Sequence, residues 1–178
     1  GEDIYYQGTT DQNLPVSVKF TYYLDGKEIK PADLKGKSGH LKIQVDYTNK
    51  EKKTVSVDGK QEEVYTPFVM MTGMILPNET FSNVTIDNGK VISDGSKNIV
   101  VGFGMPGMKE SLNLDESKTE DLTIPESLCV EADVTDFTMS STFTVALTDL
   151  LDDIDFDNIV NVDSLKSSLD ELEDAALQ

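Results

Sequence analysis

Arginine and tryptophan are missing from this 178-residue chain, and cysteine and histidine occur once each. All fifteen basic residues are lysines, set against 33 acids, for a net charge of −18. Arginine is the side chain best suited to bidentate contact with phosphates and base edges. Its absence from so acidic a chain excludes nucleic acid as a partner. The single cysteine, Cys129, rules out an internal disulfide. Its place in Leu128-Cys129-Val130-Glu131-Ala132 predicts a buried small hydrophobe. So little cysteine leaves the compartment open, since many exported Gram-positive proteins use almost none. Structural zinc fails on ligand count. No apolar run approaches the roughly 18 residues that cross a bilayer. Nor is there a signal-peptide pattern after Gly1, as expected of a piece trimmed from something longer.

What the chain does have is alternation and turn dipeptides. Val16 to Tyr22 alternates and runs into Asp25-Gly26, a hairpin signal. Leu41 to Tyr47 alternates again, and Thr54 to Val57 ends at Asp58-Gly59. Val64 to Leu76 is rich in strand formers, with Pro67 and Gly73 predicting an edge position or a bulge. Val84 to Ile86 leads to Asn88-Gly89, Val91-Ile92 leads to Asp94-Gly95, and Asn98 to Phe103, Leu128 to Val134 and Thr142 to Leu147 complete the set. Turn signals at this spacing argue for a mainly β, antiparallel, sandwich-like module, single or built of two small sub-modules. Between the strands, Lys30 to Gly36 predicts a helical turn started by Pro31. Met105 to Leu122 reads as a loop crossing one sheet face.

Motifs of catalysis are few. Gly102-Phe103-Gly104-Met105-Pro106-Gly107 has dinucleotide-site spacing, but Pro106 and the antiparallel surroundings deny it the required strand–helix unit. A tight, bulged strand exit is the expectation. Gly36-Lys37-Ser38 lacks the leading glycine of a phosphate loop. His40, beside Gly39 at a strand entry, reads as a solvated turn position, and nothing in the sequence couples it to Cys129. Carboxylate pairs occur everywhere in a chain this acidic and identify no hydrolase site. Tyr5, Tyr6, Tyr22 and Tyr23 could serve a sugar-stacking platform, although alternation divides them between core and surface. The reading is of a non-enzyme.

The C-terminal end differs in kind. From Asp149 to Gln178 ten acids face one lysine, Lys166, which is half of the whole net charge. There Val162, Leu165, Leu169, Leu172 and Ala176 repeat at 3-4-3-4 spacing, an a/d seam for a protein partner or for self-association. Asp163 or Ser164 is the expected N-cap. Two heptads are marginal alone, so such a helix must pack on the β module or continue as a stalk. Asp153, Asp155 and Asp157 hold positions 1, 3 and 5 of an EF-hand-like loop. Asn158 and Ser164 replace the glycine and glutamate that loop needs, leaving at most a weak calcium site and otherwise no cofactor. The division expected is a β-rich module at 1–148 and an acidic linker with the start of a heptad helix at 149–178.

Three segments carry a resemblance. They are Tyr22 to Lys27 with Leu34 to Gly39, Pro106 to Leu112, and Ile124-Pro125 with Ala132 to Phe137. In this order, before an acidic helix start, they resemble the extracytoplasmic region of Firmicutes envelope proteins of the YhgE/Pip type (phage infection protein-like). In that family a β-rich region precedes Leu-x-x-Gly heptads and transmembrane helices, and the likeness spans most of residues 20–178. Neither the repeats nor the membrane helices occur here. The resemblance implies a non-catalytic domain on the outer face of a Gram-positive membrane, with binding or scaffolding as its role and membrane attachment only through segments outside these residues. An adhesin or glycan-binding β module is the alternative.

Overall fold

A computed structural model describes residues 14–111, 124–138 and 141–147. The described residues form eleven strands: β1 Val16–Leu24, β2 Lys27–Ile29, β3 Gly39–Asn49, β4 Lys52–Val57, β5 Lys60–Tyr65, β6 Val69–Pro77, β7 Phe81–Ile86, β8 Gly89–Ser93, β9 Lys97–Gly104, β10 Ser127–Val134 and β11 Ser141–Leu147. A 3-10 turn, Pro31–Asp33, and a short helix α1, Met108–Ser111, complete the set. Every strand pairing is antiparallel. The expected mainly β fold is therefore what forms, and Pro31 does open a helical turn.

The strands make a five-stranded sheet, β2-β1-β3-β10-β7, a four-stranded sheet, β11-β6-β9-β8, and a separate β4-β5 ribbon. The two large sheets share a core. Leu41, Ile43 and Val45 of β3 and Leu128 and Val130 of β10 cluster with Met74 and Leu76 of β6 and Val100 of β9. Period-2 alternation makes this possible, because one face of each strand collects the apolar side chains. Each such side chain, fully buried, contributes about 1.5–3 kcal/mol. Phe81 and Phe137 meet edge to face at 5.9 Å near one end. Across the middle, the Tyr47 hydroxyl lies 2.5 Å from Thr72 Oγ1, which in turn lies 2.9 Å from Thr144 Oγ1. This chain of hydroxyls satisfies the polar atoms that the core would otherwise strand.

Three turn dipeptides act as expected, Asp94-Gly95 in the β8-β9 hairpin among them. Asp25 and Gly26, and Asp58 and Gly59, take φ of 50° and 78° in each pair and close the β1-β2 and β4-β5 hairpins. Asn88-Gly89 closes no hairpin, because β7 and β8 belong to different sheets. At this crossing the Asn88 carbonyl accepts from Phe103 N–H, the Asn88 amide donates to the Ser127 carbonyl, and Asp87 N–H donates to the Cys129 carbonyl. The dipeptide thus stitches the sheets together instead of reversing a strand.

Three further expectations change. Val64 to Leu76 divides at Pro67 into the end of β5 and the start of β6. Strand β6 is interior to its sheet, with unbroken register through Gly73, so Gly73 marks neither an edge nor a bulge. Cys129 is only half-buried, since Leu128, Val130 and Ala132 take the inward positions of β10. Of the glycine-rich run, Gly102 and Gly104 lie within β9, and Gly107 has φ 80° just before α1. The predicted C-terminal helix, the seam from Val162 to Ala176 and the candidate calcium ligands Asp153, Asp155 and Asp157 all lie outside the described residues.

Candidate interaction surface

The two sheets have outer faces of opposite character. On the five-stranded sheet, β3 turns His40, Lys42, Gln44 and Asp46 outward, and β10 adds Glu131 and Asp133. This is the ordinary arrangement of a half-solvated antiparallel sheet. The four-stranded sheet departs from it. Its core-facing positions are Met70, Thr72, Met74 and Leu76 on β6 and Val100 on β9. Most of the remaining positions are apolar as well, among them Met71 and Ile75 on β6, Ile99 and Val101 on β9, and Phe143 and Val145 on β11.

Register places these side chains together. Val145 stands opposite Met71, Phe143 opposite Gly73, and Ile75 opposite Ile99, which is also opposite Ile92 of β8. Exposure is graded along the sheet. Val69 and Phe103, at one end of this outer face, are buried, whereas Phe143 and Ile92 are each 46% exposed. Phe143 lies across Gly73, whose missing Cβ would stand inside the ring. A contiguous group of exposed apolar side chains of this kind marks an interaction surface.

Charge on this sheet is equally one-sided. Strands β6, β8, β9 and β11 contain no acidic residue, in a chain of net charge −18. Their charged side chains are Lys90 of β8 and Lys97 of β9. Both lie on the outer face by alternation from the core-facing Val91 and Val100. Lys97 Nζ is 3.6 Å from the Asp94 carboxylate in the adjoining turn. That carboxyl is held down at about 2, chiefly by its hydrogen bonds from Ser96.

On the opposite sheet the lone histidine is built into a polar cluster. His40 Nδ1 is 3.0 Å from Asp133 Oδ1, and His40 Nε2 is 3.6 Å from Glu131 Oε2. Asn83 donates to Asp133 Oδ2 at 2.8 Å, and the His40 backbone N–H donates to Asp25 Oδ1 at 2.9 Å. A register shift between Glu131 and Asp133 in the β10–β7 pairing accompanies this arrangement. The hydrogen bond to Asp133 leads the influences that push His40 above its ordinary value, and Asn83, then His40, hold Asp133 down. His40 is therefore an exposed residue at the start of β3, the strand entry expected for it, and its ring is paired with Asp133. Cys129 pairs with Gln44 while His40 pairs with Asp133, so the two sit apart on the β3–β10 ladder. Among the described residues no group of His, Cys, Asp and Glu is arranged to hold a metal ion.

A third feature is a groove of about 390 Å³ beside β1, where β2 ends. Phe20, Tyr22 and Ile29 supply its apolar lining, and Lys19, Lys30 and Glu28 its charges. Tyr22 turns toward the core and Tyr23 away from it, where Lys42 Nζ lies 5.9 Å from its ring. Alternation thus divides this tyrosine pair as expected, while Tyr5 and Tyr6 lie outside the described residues.

The apolar outer face leaves no mark in the alternation of its strands, because it arises where that alternation breaks down. Val69-Met70-Met71 and Ile99-Val100-Val101 are runs of three apolar residues, and a continuous run means both faces are apolar. No helix among the described residues is long and apolar enough to cross a membrane. Against family models, curated proteins and solved structures, no match to this chain is found.

Proposed function

We propose that this chain is a non-catalytic binding or scaffolding domain on the outer face of a Gram-positive membrane, belonging to a membrane-anchored envelope protein. The observation that carries the binding role is the apolar, acid-free outer face of the four-stranded sheet. Exposing Phe143, Ile92, Ile75 and Val145 to water is costly and favours cover by another polypeptide surface. The placement outside the membrane rests on the resemblance carried by Tyr22 to Lys27 with Leu34 to Gly39, by Pro106 to Leu112, and by Ile124-Pro125 with Ala132 to Phe137. Antibody raised against residues 1–178 should label intact producing cells, and the antigen should sediment with membranes. Antigen found only in the cytosolic fraction would sink the envelope reading.

The alternative, a glycan-binding module, has the groove beside β1 in its favour. An aromatic and aliphatic lining flanked by two lysines and a glutamate suits a polyol ligand. Calorimetry with purified wall polysaccharide tests it. Heat that is lost in Tyr22→Ala would favour this reading, and no heat with the parent chain would end it.

A further inference from the structure

We propose that the outer face of the four-stranded sheet is the docking surface for the chain's own acidic C-terminal segment, residues 159–177. The docking does not depend on where the protein resides, and an external partner would reach this face only by displacing the segment.

Three observations converge on that occupant. The first is chemical type. The face offers Phe143, Val145, Ile75 and Ile92 as an apolar strip, and the segment offers Val162, Leu165, Leu169 and Leu172 at helical spacing. A helix face of that kind needs an apolar partner, and two heptads are too few to stand alone.

The second is charge. The sheet carries Lys90 and Lys97 and no acid, while residues 149–178 carry ten acids and one lysine. On the other sheet the same segment would meet Asp46, Glu131 and Asp133 interspersed with Lys19 and Lys42, so that face is of mixed charge and offers no acid-free surface.

The third is connection and reach. Strand β11 is the edge of this same sheet and delivers the chain at Leu147, opposite Val69. Eleven residues separate Leu147 from Ile159, enough to span up to about 40 Å when extended. The nine residues of β6 run about 30 Å, and four strands lie about 14 Å across. A helix over residues 162–176 is about 22 Å long and 10–12 Å wide. Those dimensions are no larger than the face.

Carbodiimide cross-linking of the full 178-residue chain tests this directly. The reagent joins a lysine amine to a carboxylate in contact with it, and Lys97 with Asp94 is the internal control at 3.6 Å. Equal parts of ordinary and heavy-nitrogen protein separate links within a chain from links between chains. The expected result is linkage of Lys90 or Lys97 to carboxylates between Asp163 and Asp174 of the same chain. Links to those carboxylates only between chains would overturn the proposal in favour of a second copy. Recovery of the Lys97–Asp94 link alone would overturn it outright.

A second readout guards against a misfolded variant. The pair Lys90→Glu and Lys97→Glu changes half-buried or exposed side chains, so β3 and β10 should keep their amide protection. Exchange in residues 159–177 should then quicken about tenfold as docking is lost. Unchanged exchange there, with β3 and β10 intact, would also overturn the proposal.

Discussion

Phe143 of β11 covers Gly73 of β6, its directly paired neighbour, so that the ring occupies the space a side chain would fill. Glycine weakens a strand interior because it packs nothing, and an aromatic ring laid across it from the next strand restores the lost cover. The pair anchors the edge strand to the sheet at the centre of the apolar outer face.

Removing the ring should therefore cost more than its exposed half suggests. Phe143→Ala is expected to destabilise the fold by about 1 kcal/mol. Adding Gly73→Ala to that variant should recover part of the loss, while Gly73→Ala alone should displace the ring and give none. Urea unfolding of the four proteins in a double-mutant cycle reads the coupling. Simple additivity would mean the ring and the glycine act independently.

Inside the core the scale is larger. Phe81 is 1% exposed and edge-on to Phe137, so Phe81→Ala should cost about 3–5 kcal/mol. The comparison with Phe143→Ala, measured by the same unfolding midpoints, separates core from surface. Equal losses would show that the outer face is as closely packed as the interior.

Tyr47 links stability to alkaline pH. Burial pushes its phenol from 10.0 up to about 12, opposed by the hydrogen bond to Thr72. A raised folded value means the contribution is full below 10.0 and disappears as pH climbs through about 12. Tyr47→Phe should remove that part of the alkaline loss while costing about 1 kcal/mol at neutral pH through the missing hydroxyl. Melting temperatures across the alkaline range check both; an unchanged alkaline slope would exclude Tyr47 as its source.

His40 and Asp133 give an opposite pair of dependences. His40 is raised by Asp133, so its contribution is present below its ordinary 6.5 and is lost as pH rises through the folded value. Asp133 is lowered by Asn83 and His40, so its contribution is present above 3.8 and is lost as pH falls through the folded value. The cluster is exposed and screened by solvent, so the effect on melting is small. A proton NMR titration of the one histidine should place it above 6.5, and Asp133→Asn should bring it down. A value at or below 6.5 in the parent chain would refute the pairing.

Local chemistry alone determined much of this protein. Asp25-Gly26 and Asp58-Gly59 close hairpins because only such residues accept the two left-handed positions that a tight turn needs. Leu41 to Tyr47 and Leu128 to Val134 are strands because alternation leaves one side for the core. The absence of arginine and the charge of −18 depend on no fold at all.

Tertiary structure decided what depends on neighbours distant in sequence. Asn88-Gly89 has hairpin composition, yet Phe103, Ser127 and Cys129 meet it and make it a crossing between sheets. Gly73 reads as a defect until Phe143, seventy residues later, is laid over it. His40 gains its carboxylates only because β10 pairs beside β3 in that register. The apolar outer face exists only because β6, β8, β9 and β11 align their second apolar sides in one sheet. A strand's alternation names two faces, and only packing determines which of them meets the core and which is left for another surface.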